Sequence, residues 1–364
     1  MSWRRIIAIF SISRNKEERM KYDVVGLGNA LLDFQVRVPF EALSELQVVK
    51  NSMTLVAEAD QHKALSYIKE KYHSGCQISS GGCAANTLAG LANYGGSGFF
   101  FGRVGSDDNG RHYREDLENC GLTTQLSQSS QGHTGTCLAL ITPDAERTML
   151  THLGVAIDLS EKDIEPAPIA DGSIVYIEGY LWDSPSARKA SIKAMDIAKA
   201  QGKKVALTFA DSFCVERHFQ DFLDLAKNRV DILFCNESEA LMATKKSSVK
   251  DAFAVMKDWT DYVCMTLGPR GAYLSNRSTN TQEELSTWDV KLVDKLGAGD
   301  LFAAGVLFGI GKGKSLRECG YLGCYAATRV IQQMGARLLV ELSPEIELAA
   351  RGPADAESTL TTAS

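Results

Sequence analysis

The chain has 364 residues, 45% of them hydrophobic, so it can bury a large core in one α/β domain or in one domain with a small appendage. Its 45 acidic and 39 basic residues give a net charge of −6, which excludes the overall positive field expected of a protein that binds nucleic acid or anionic lipid. Composition therefore predicts a globular protein that acts on a small molecule, without a nucleic-acid or membrane partner.

The two ends of the chain are predicted to lie outside the folded domain. Residues 1–20 contain a run of only five apolar residues, whereas a signal-peptide core needs ~7–15, so we predict a disordered N-terminal extension and no secretion signal. Residues 346–364 are predicted to be a polar tail. Nine cysteines lie without C-x-x-C spacing, which is typical of reduced thiols in a cytoplasmic protein.

The domain at 21–345 is predicted to be α/β, with a doubly wound, mostly parallel sheet. Short apolar runs end in Gly, Asn or Asp, as expected of parallel strands that are buried on both faces. These runs are at 22–29, 99–105, 174–180, 204–211, 230–237 and 262–268. Segments with helical periodicity, such as 184–204 and 219–229, lie between them and complete the βαβ alternation.

Two insertions, near 33–60 and 131–155, interrupt this alternation. In each, apolar and polar residues alternate along two segments, which predicts antiparallel strands. The four segments are 33–39, 52–60, 134–143 and 146–154. We expect them to form a small antiparallel lid that covers a ligand and excludes water, because ligands of doubly wound sheets bind beyond the carboxyl ends of the strands.

The segment 293–313 carries the clearest catalytic signal. Gly297, Ala298 and Gly299 precede Asp300 and a long apolar run that predicts a buried helix. A turn of small residues at a helix N-terminus exposes backbone amides that bind anions. A carboxylate beside such amides would repel a phosphate unless it accepts a proton from an attacking hydroxyl, so we interpret Asp300 as a general base. The alternative is that Asp300 is an ordinary helix cap.

A second glycine-rich segment lies at 78–96. Gly81 and Gly82 let the backbone approach a substrate closely, and the amide of Asn86 offers a donor and an acceptor to a hydroxyl. The alternative is a tightly packed turn from a strand to a helix. The segment 24–33 contains two glycines of a dinucleotide fingerprint, but Leu31 stands where the third would be, which leaves a nicotinamide-dependent enzyme as a weak alternative.

These motifs, in this order, resemble those of the ribokinase-like (PfkB) family of carbohydrate and nucleoside kinases, over residues 21–340. GGCAAN at 81–86 and DKLGAGD at 294–300 match the two glycine motifs of the family. NESE at 236–239 and TLGPRG at 266–271 match its Asn-x-x-Glu motif and its nucleotide-binding turn. The opening GLGNALLD at 26–33 is similar to the adenosine-kinase branch.

The resemblance implies an ATP- and Mg²⁺-dependent transfer of phosphate to a primary alcohol, with a role for each matched residue. Asp300 would be the base, and the amides of Gly297, Ala298 and Gly299 would stabilise the transferred phosphoryl group. The substrate would be held by Asn29, Asp33, Gly81, Gly82, Asn86 and Glu178. The nucleotide would be held by Asn236, Thr266, Gly268, Gly271 and Arg103, and Mg²⁺ by Glu239 through water. For Glu178 the alternative is a solvated rim residue, and for Arg103 it is a salt bridge.

One position departs from the family pattern. Lys295 follows Asp294, where the family commonly has Thr. Its charge would lie close to the family's usual monovalent-cation site, between this segment and Gly335, which puts activation by potassium in doubt.

Several choices stay open at the level of sequence. The substrate is a sugar such as ribose or fructose, or a ribonucleoside such as adenosine, and the protein is a monomer or a homodimer. A regulatory protein that binds a nucleotide or a sugar without catalysis is the alternative function. The complete Gly-Ala-Gly-Asp motif argues against it, since a binding protein needs no base.

Overall fold

The computed structural model describes residues 21–144 and 146–353. The predicted N-terminal extension and the end of the predicted tail lie outside these residues. Most of the described chain forms helices and strands, which we number in chain order.

The strands are β1 (Tyr22–Leu27), β2 (Leu31–Arg37), β3 (Met53–Leu55), β4 (Cys76–Ser80), β5 (Gly98–Gly105), β6 (Thr123–Ser129), β7 (Thr134–Ile141), β8 (Arg147–Gly154), β9 (Gly172–Glu178), β10 (Lys204–Thr208), β11 (Ile232–Asn236), β12 (Tyr262–Thr266), β13 (Ala272–Asn276) and β14 (Thr281–Leu285). The helices are α1 (Phe40–Glu45), α2 (Glu58–Tyr72), α3 (Cys83–Asn93), α4 (Asp108–Asn119), α5 (Pro166–Ala170), α6 (Pro185–Ala200), α7 (Ser212–Arg217), α8 (Phe219–Asn228), α9 (Glu237–Thr244), α10 (Val249–Met256), α11 (Ala298–Gly311), α12 (Leu316–Val330) and α13 (Ile346–Arg351).

A nine-stranded sheet forms the centre of the described chain, in the order β14-β13-β12-β11-β10-β9-β1-β5-β6. All its neighbouring strands from β12 to β6 are parallel, and β13 and β14 continue it as an antiparallel edge. Val24 and Val25 of β1 are both fully buried but belong to different apolar clusters, one on each face of the sheet. Helices α3, α11 and α12 cover one face and α6, α8 and α10 the other, which confirms the predicted doubly wound α/β fold.

The smaller sheet has five strands in the order β3-β8-β7-β2-β4. The predicted segments supply four of them, but the sheet is mixed and not wholly antiparallel, because β2 pairs with β7 and β3 with β8 in parallel. These pairs join strands that are far apart in sequence, so no hairpin fixes their direction. The fifth strand, β4, lies beyond the predicted first insertion and pairs with β2.

Strands of the first insertion therefore flank the β7–β8 hairpin on both sides. Helices α1 and α2 cover the outer face of the small sheet, where Val36, Ile68 and Leu138 pack in a separate apolar cluster. The other face is turned toward the carboxyl ends of the large sheet, and Asp33 on this face lines a cavity between the two sheets.

The chain beyond residue 345 is not wholly a polar tail, as the sequence predicted. Residues Ile346–Arg351 form α13, and Ala349 is fully buried in the main apolar cluster. The apolar side of this short helix packs against the domain, a feature that the polar composition of the following residues hides. In the described residues, no helix is long and apolar enough to span a membrane.

Candidate active site

A cavity of about 780 Å³ lies between the carboxyl ends of the large sheet and the inner face of the small sheet. This position is the one expected for a ligand of a doubly wound sheet, and the volume suits a small molecule. Most of the residues predicted to bind or react line it. They are Asn29, Asp33, Gly82, Asn86, Glu178, Asn236, Glu239, Thr266, Gly268, Gly297, Ala298, Gly299 and Asp300.

The first turn of α11 faces this cavity. Gly297 caps the helix with a φ of 76°, and a Cβ at this position would lie 2.5 Å from the carbonyl oxygen of Ala336, so both the backbone angle and the space require glycine. A Cβ at Gly299 would meet no atom within 4 Å. The first turn of the helix thus borders open space, where its N-terminal amides can bind an anion, although the amide of Ala298 already makes a long hydrogen bond of 3.4 Å to the carbonyl oxygen of Lys295.

Asp300 lies in the same turn, next to these amides. One of its oxygens, Oδ2, accepts a hydrogen bond of 3.0 Å from Nδ2 of Asn86. Burial raises the pKa of Asp300 to about 6, although the hydrogen bonds from Asn86 and Cys83 and the charge of Arg337 act in the opposite direction. A carboxylate with a pKa just below neutrality is ionised at pH 7 and is still basic enough to accept a proton.

Asp33 lies across the cavity, on the small sheet. Its side chain is buried, and burial raises its pKa to about 7 against the charges of Arg147 and Arg337. No group in the described part of the chain donates a hydrogen bond to its carboxylate. Gly81 does not line the cavity but makes room for this side chain, because a Cβ there would lie 2.5 Å from both carboxylate oxygens of Asp33.

Glu178 is neither a rim residue nor a free ligand of the cavity. It is 1% exposed, and its Oε1 accepts hydrogen bonds from the backbone N (2.7 Å) and Nδ2 (2.9 Å) of Asn29. Its Oε2 accepts one of 3.0 Å from the amide of Ala84, at the N-terminus of α3. Burial raises the pKa of Glu178 to about 7 against these bonds. Glu178 therefore fixes Asn29 and the start of α3, and its contact with a substrate stays a prediction.

Asn236 and Glu239 lie at the other end of the cavity and form a capping box at the start of α9. The amide of Glu239 donates to Oδ1 of Asn236 at 3.0 Å, and both carboxylate oxygens of Glu239 accept hydrogen bonds from Asn236. Burial raises the pKa of Glu239 to about 8. The structure thus brings the two residues of the Asn-x-x-Glu motif together and places them on the cavity wall.

Two predicted nucleotide ligands do not reach the cavity. Arg103 lies on β5 and donates to both carboxylate oxygens of Asp163, at 3.3 and 3.4 Å, so the structure shows the salt bridge that was the alternative for this arginine. Gly271 has a φ of 96° and shapes the turn between β12 and β13, where a side chain would collide with the carbonyl group of Leu285. Thr266 and Gly268, in the same turn, do line the cavity.

Two arginines that the sequence analysis did not single out lie close to the site. Arg147, at the start of β8, forms a buried bidentate salt bridge with Asp294, which is fully buried. Arg337, after α12, donates to Oδ1 of Asn86 at 3.0 Å. Arg337 follows the Gly335 segment by two residues, but a sequence does not reveal which distant side chain an arginine meets.

The part of the small sheet that faces the cavity is largely apolar. The apolar side chains there are Leu31, Met53, Leu55, Cys137, Met149 and Leu153, and the polar Thr151 lies among them. Together with Asp33, this wall combines one carboxylate with a broad apolar surface. In the sequence, only the alternation of apolar and polar residues along the strands could have indicated this apolar wall. The edge strand β3 has three residues and is too short to show such a periodicity.

Comparisons with known proteins agree with this geometry. Residues 50–342 match the family described as pfkB family carbohydrate kinase. The chain is 30% identical over 338 residues to adenosine kinase of Saccharomyces cerevisiae, a match that covers 87% of this chain and 96% of the yeast protein. The structure is similar to that of adenosine kinase from Sinorhizobium meliloti, with a TM-score of 0.85, 35% identity and coverage of 90% of this chain and 99% of that one.

A second solved structure is equally similar. It is that of a probable sugar kinase from Rhizobium etli, with a TM-score of 0.85, 35% identity and coverage of 91% of this chain and 99% of that one. Two solved structures with the same TM-score and identity are thus described as kinases of different substrates, adenosine in one case and a sugar in the other.

Proposed function

Because this chain belongs to the pfkB family of carbohydrate kinases, we propose that it transfers the γ-phosphate of ATP to the primary alcohol of a ribonucleoside, with Asp300 as the general base. Its kinase relatives act on both sugars and nucleosides by their descriptions, so kinase activity as such follows from family membership. The proposal is that the substrate is a nucleoside and that Asp300 is the base.

One observation carries the proposal. Asp300 lies in the first turn of α11, beside the helix amides and inside a cavity whose opposite wall holds Asp33. An alcohol held by Asp33 would lie between the two carboxylates, and a phosphate would lie at the helix N-terminus. The three groups that a phosphoryl transfer needs, namely a base, a site for the alcohol and donors for the developing charge, therefore share one space.

In the proposed reaction the hydroxyl oxygen of the substrate attacks the γ-phosphorus of ATP and the bond from phosphorus to the β,γ-bridging oxygen breaks. Asp300 accepts the hydroxyl proton, which leaves ADP and a phosphate ester. The amides of Gly297, Ala298 and Gly299 donate to the oxygens of the transferred group as charge develops on them. Glu178 keeps Asn29 and the start of α3 in place on the substrate side.

Asp33 and the apolar wall favour a nucleoside over a free sugar. The carboxylate of Asp33 has no partner in the described residues, so both its oxygens can accept hydrogen bonds from two neighbouring hydroxyls of a ribose. The apolar side chains of the small sheet, such as Leu31, Met149 and Leu153, would contact the flat face of a base. A free sugar would cover less of this apolar surface, and fewer of its hydroxyls would find partners there, among them Thr151.

The end of the cavity at Asn236 and Glu239 fits a Mg²⁺ ion held through water. Both residues supply oxygen ligands, which this ion prefers, but the Glu239 oxygens already accept bonds from Asn236, which argues against direct coordination. When bound, Mg²⁺ would neutralise charge on the phosphates of ATP.

The test is a coupled assay of ADP release across adenosine, inosine, ribose, fructose and 2-keto-3-deoxygluconate. We expect adenosine to give the highest kcat/KM and the sugars to give little turnover. Turnover with sugars alone would contradict the nucleoside proposal. Binding of ATP and adenosine without any ADP release would instead favour a regulatory protein on the same fold.

Replacing Gly81 by alanine tests the role of Asp33. The new methyl group would displace the Asp33 carboxylate, since the Cβ would lie 2.5 Å from both its oxygens. Because a hydrogen bond to a charged group contributes about 1.5–3 kcal/mol, we expect KM for the nucleoside to rise about 10- to 100-fold, with little change in KM for ATP.

The matched control is Gly75→Ala. Gly75 directly precedes β4, and Gly81 directly follows the same strand. A Cβ at Gly75 would meet nothing within 4 Å, so this variant should keep the KM values of the unmodified enzyme. If KM for the nucleoside rose equally in both variants, or did not rise in Gly81→Ala, the proposal that Asp33 binds the substrate would be wrong.

We expect turnover not to depend on potassium. Each oxygen of Asp294 already accepts two hydrogen bonds: Oδ1 from Arg147 and the amide of Leu296, and Oδ2 from Arg147 and the amide of Gly335. No lone pair is left for an alkali cation. Replacing K⁺ by tetramethylammonium at constant ionic strength should leave the initial rate unchanged, and a clear fall in the rate would contradict this expectation.

The thiols support the proposal that the protein works in the cytoplasm. All nine cysteines lie in the described part of the chain and none forms a disulfide. Six of them are buried, as is usual for reduced cysteines with a packing role.

A further inference from the structure

A chain of hydrogen bonds leads from the proposed base to the surface of α4. Oδ2 of Asp300 accepts from Nδ2 of Asn86 at 3.0 Å, and Oδ1 of Asn86 accepts from Nε of Arg337 at 3.0 Å. Nη1 of Arg337 in turn donates to Oδ2 of Asp116 at 2.6 Å. The four residues come from α11, α3, the segment after α12, and α4. Asp300 is thus connected to a cation that does not line the cavity.

Arg337 determines which way the amide of Asn86 points. A guanidinium group can only donate hydrogen bonds, so the atom of Asn86 that faces Nε must be the oxygen. The NH₂ group of Asn86 then faces Asp300. Without Arg337, the amide could turn and place its oxygen against the carboxylate. Asn86 is 4% exposed, so water could not easily replace the lost donor.

Arg337 is itself held firmly. Its side chain is 11% exposed, and Nε2 of Gln333 donates to its backbone oxygen at 2.7 Å. Its charge also lies near Tyr113 and Cys120. Nη2 makes no hydrogen bond of ordinary geometry in the described residues, although the weakly accepting thiol of Cys120 lies close to the guanidinium group. The bonds of this group to oxygen go to Asn86 and Asp116.

The other groups around Asp300 do not replace this cation. Cys83 and Asn86 face it from α3, and Arg337 does so from the segment after α12. Asp33 on the small sheet and Glu178 on β9 are acids whose charges oppose that of Asp300, and Tyr176 on β9 is uncharged at neutral pH. Lys295 also lines the cavity, but its ammonium group is paired with Glu146. Arg337 is therefore the cation whose charge stabilises ionised Asp300 in this part of the described structure.

We propose that Arg337 is a positioning residue for the reaction, which through Asn86 holds Asp300 ionised and correctly oriented to accept the substrate proton. The inference rests on the proposed function, since it concerns the same base. Arg337 touches neither the cavity nor a reacting atom, and it acts only through its bond to Asn86 and through its charge.

The test is the pH profile of kcat in Arg337→Met. For the unmodified enzyme, kcat should fall on acidification as Asp300 becomes protonated. In the variant, the midpoint of this fall should move to higher pH by about one unit, the effect of removing one nearby opposite charge. At the pH of the original midpoint, turnover should fall several-fold, while the plateau at alkaline pH should be much less affected.

Two further variants make the result interpretable. Arg337→Lys keeps the charge without the fork that joins Asn86 to Asp116, so its midpoint should move upward by less. Arg329→Met removes a half-buried cation of α12, whose partner is Glu345 and whose charge is not among those that act on Asp300, and should leave the profile unchanged. Thermal melting reports whether each variant is folded. If Arg337→Met does not fold, the shift in Arg337→Lys decides the question.

The outcomes separate this inference from the proposed function. No phosphoryl transfer by the unmodified enzyme would contradict the function. An active enzyme whose Arg337 variants lose turnover equally at every pH, with the midpoint unmoved, would show that Arg337 serves only the fold. A midpoint that moves to lower pH would also overturn the inference, since it would mean that Arg337 does not stabilise the ionised base.

Discussion

Replacing Asp300 by asparagine is expected to lower kcat by about 10²–10⁴-fold, because asparagine cannot accept the proton of the attacking hydroxyl. The affinity for ATP should change little, since the nucleotide would be held by the helix amides and by the distant residues around Asn236 and Thr266. Asparagine has nearly the shape of aspartate and can still interact with Asn86. The measurement is single-turnover phosphoryl transfer together with the dissociation constant of an unreactive ATP analogue.

The matched control is Asp108→Asn. Asp108 also lies in the first turn of a helix, α4, but its side chain is 89% exposed and does not line the cavity between the two sheets. This variant should keep full turnover. If Asp300→Asn turned over at a near-normal rate, Asp300 would be only a residue of the helix terminus, and the proposed mechanism would be wrong.

Replacing Arg147 by methionine is expected to destabilise the fold by about 3–5 kcal/mol, the usual cost of leaving a buried charge without its partner. Burial raises the pKa of Asp294, but the bonds and charge of Arg147 and the amides of Leu296 and Gly335 outweigh it and hold this pKa below its ordinary value. The salt bridge joins the small sheet to the segment that leads into α11. Urea unfolding followed by circular dichroism measures the loss.

Two variants and the pH dependence show whether the cause is the unpaired charge. Lys295→Met breaks only the exposed pair with Glu146 and should change stability by about 0–1 kcal/mol. Arg147→Met combined with Asp294→Asn should recover part of the loss. In Arg147→Met alone, the pKa of Asp294 in the folded state should rise above its unfolded value, so the deficit should shrink as the pH falls. If the loss of unfolding free energy in Arg147→Met did not depend on pH, its cause would be lost packing and not the unpaired charge of Asp294.

The sequence predicts six of the seven parallel strands described in the large sheet, because each of the six is a local apolar signal, and it misses the polar edge strand β6. The runs around Val24, Val175 and Val263 are apolar on both faces, and each run ends where the structure ends its strand, within a few residues. The polar residues that follow these strands meet at one edge for the same geometric reason. Asn29 and Asn236 thus line one cavity, although more than two hundred residues separate them.

The sequence fails where a contact depends on a distant partner. Strand β4 is short and half-exposed, so it gives no clear periodicity, and β2 and β7 pair in parallel because of the path of the chain between them. Arg147 and Arg337 look like any other arginines until the fold brings them to Asp294 and Asn86. Glu178 ends a strand as a substrate ligand would, and only the structure reveals the three donors that hold it.

The interleaved order of the small sheet has a consequence for how the protein folds. Strands β2, β3 and β4 leave the sheet open until the β7–β8 hairpin enters between them, and more than fifty residues separate β4 from β7. Loops of this length must close before the pairs can form, which slows folding. During synthesis on the ribosome, β2 and β3 cannot pair with the hairpin until residue 154 has emerged. We therefore expect the cover of the cavity to stay incomplete during synthesis until the hairpin has emerged, at a stage when the strands of the large sheet from β9 onward are still to be made.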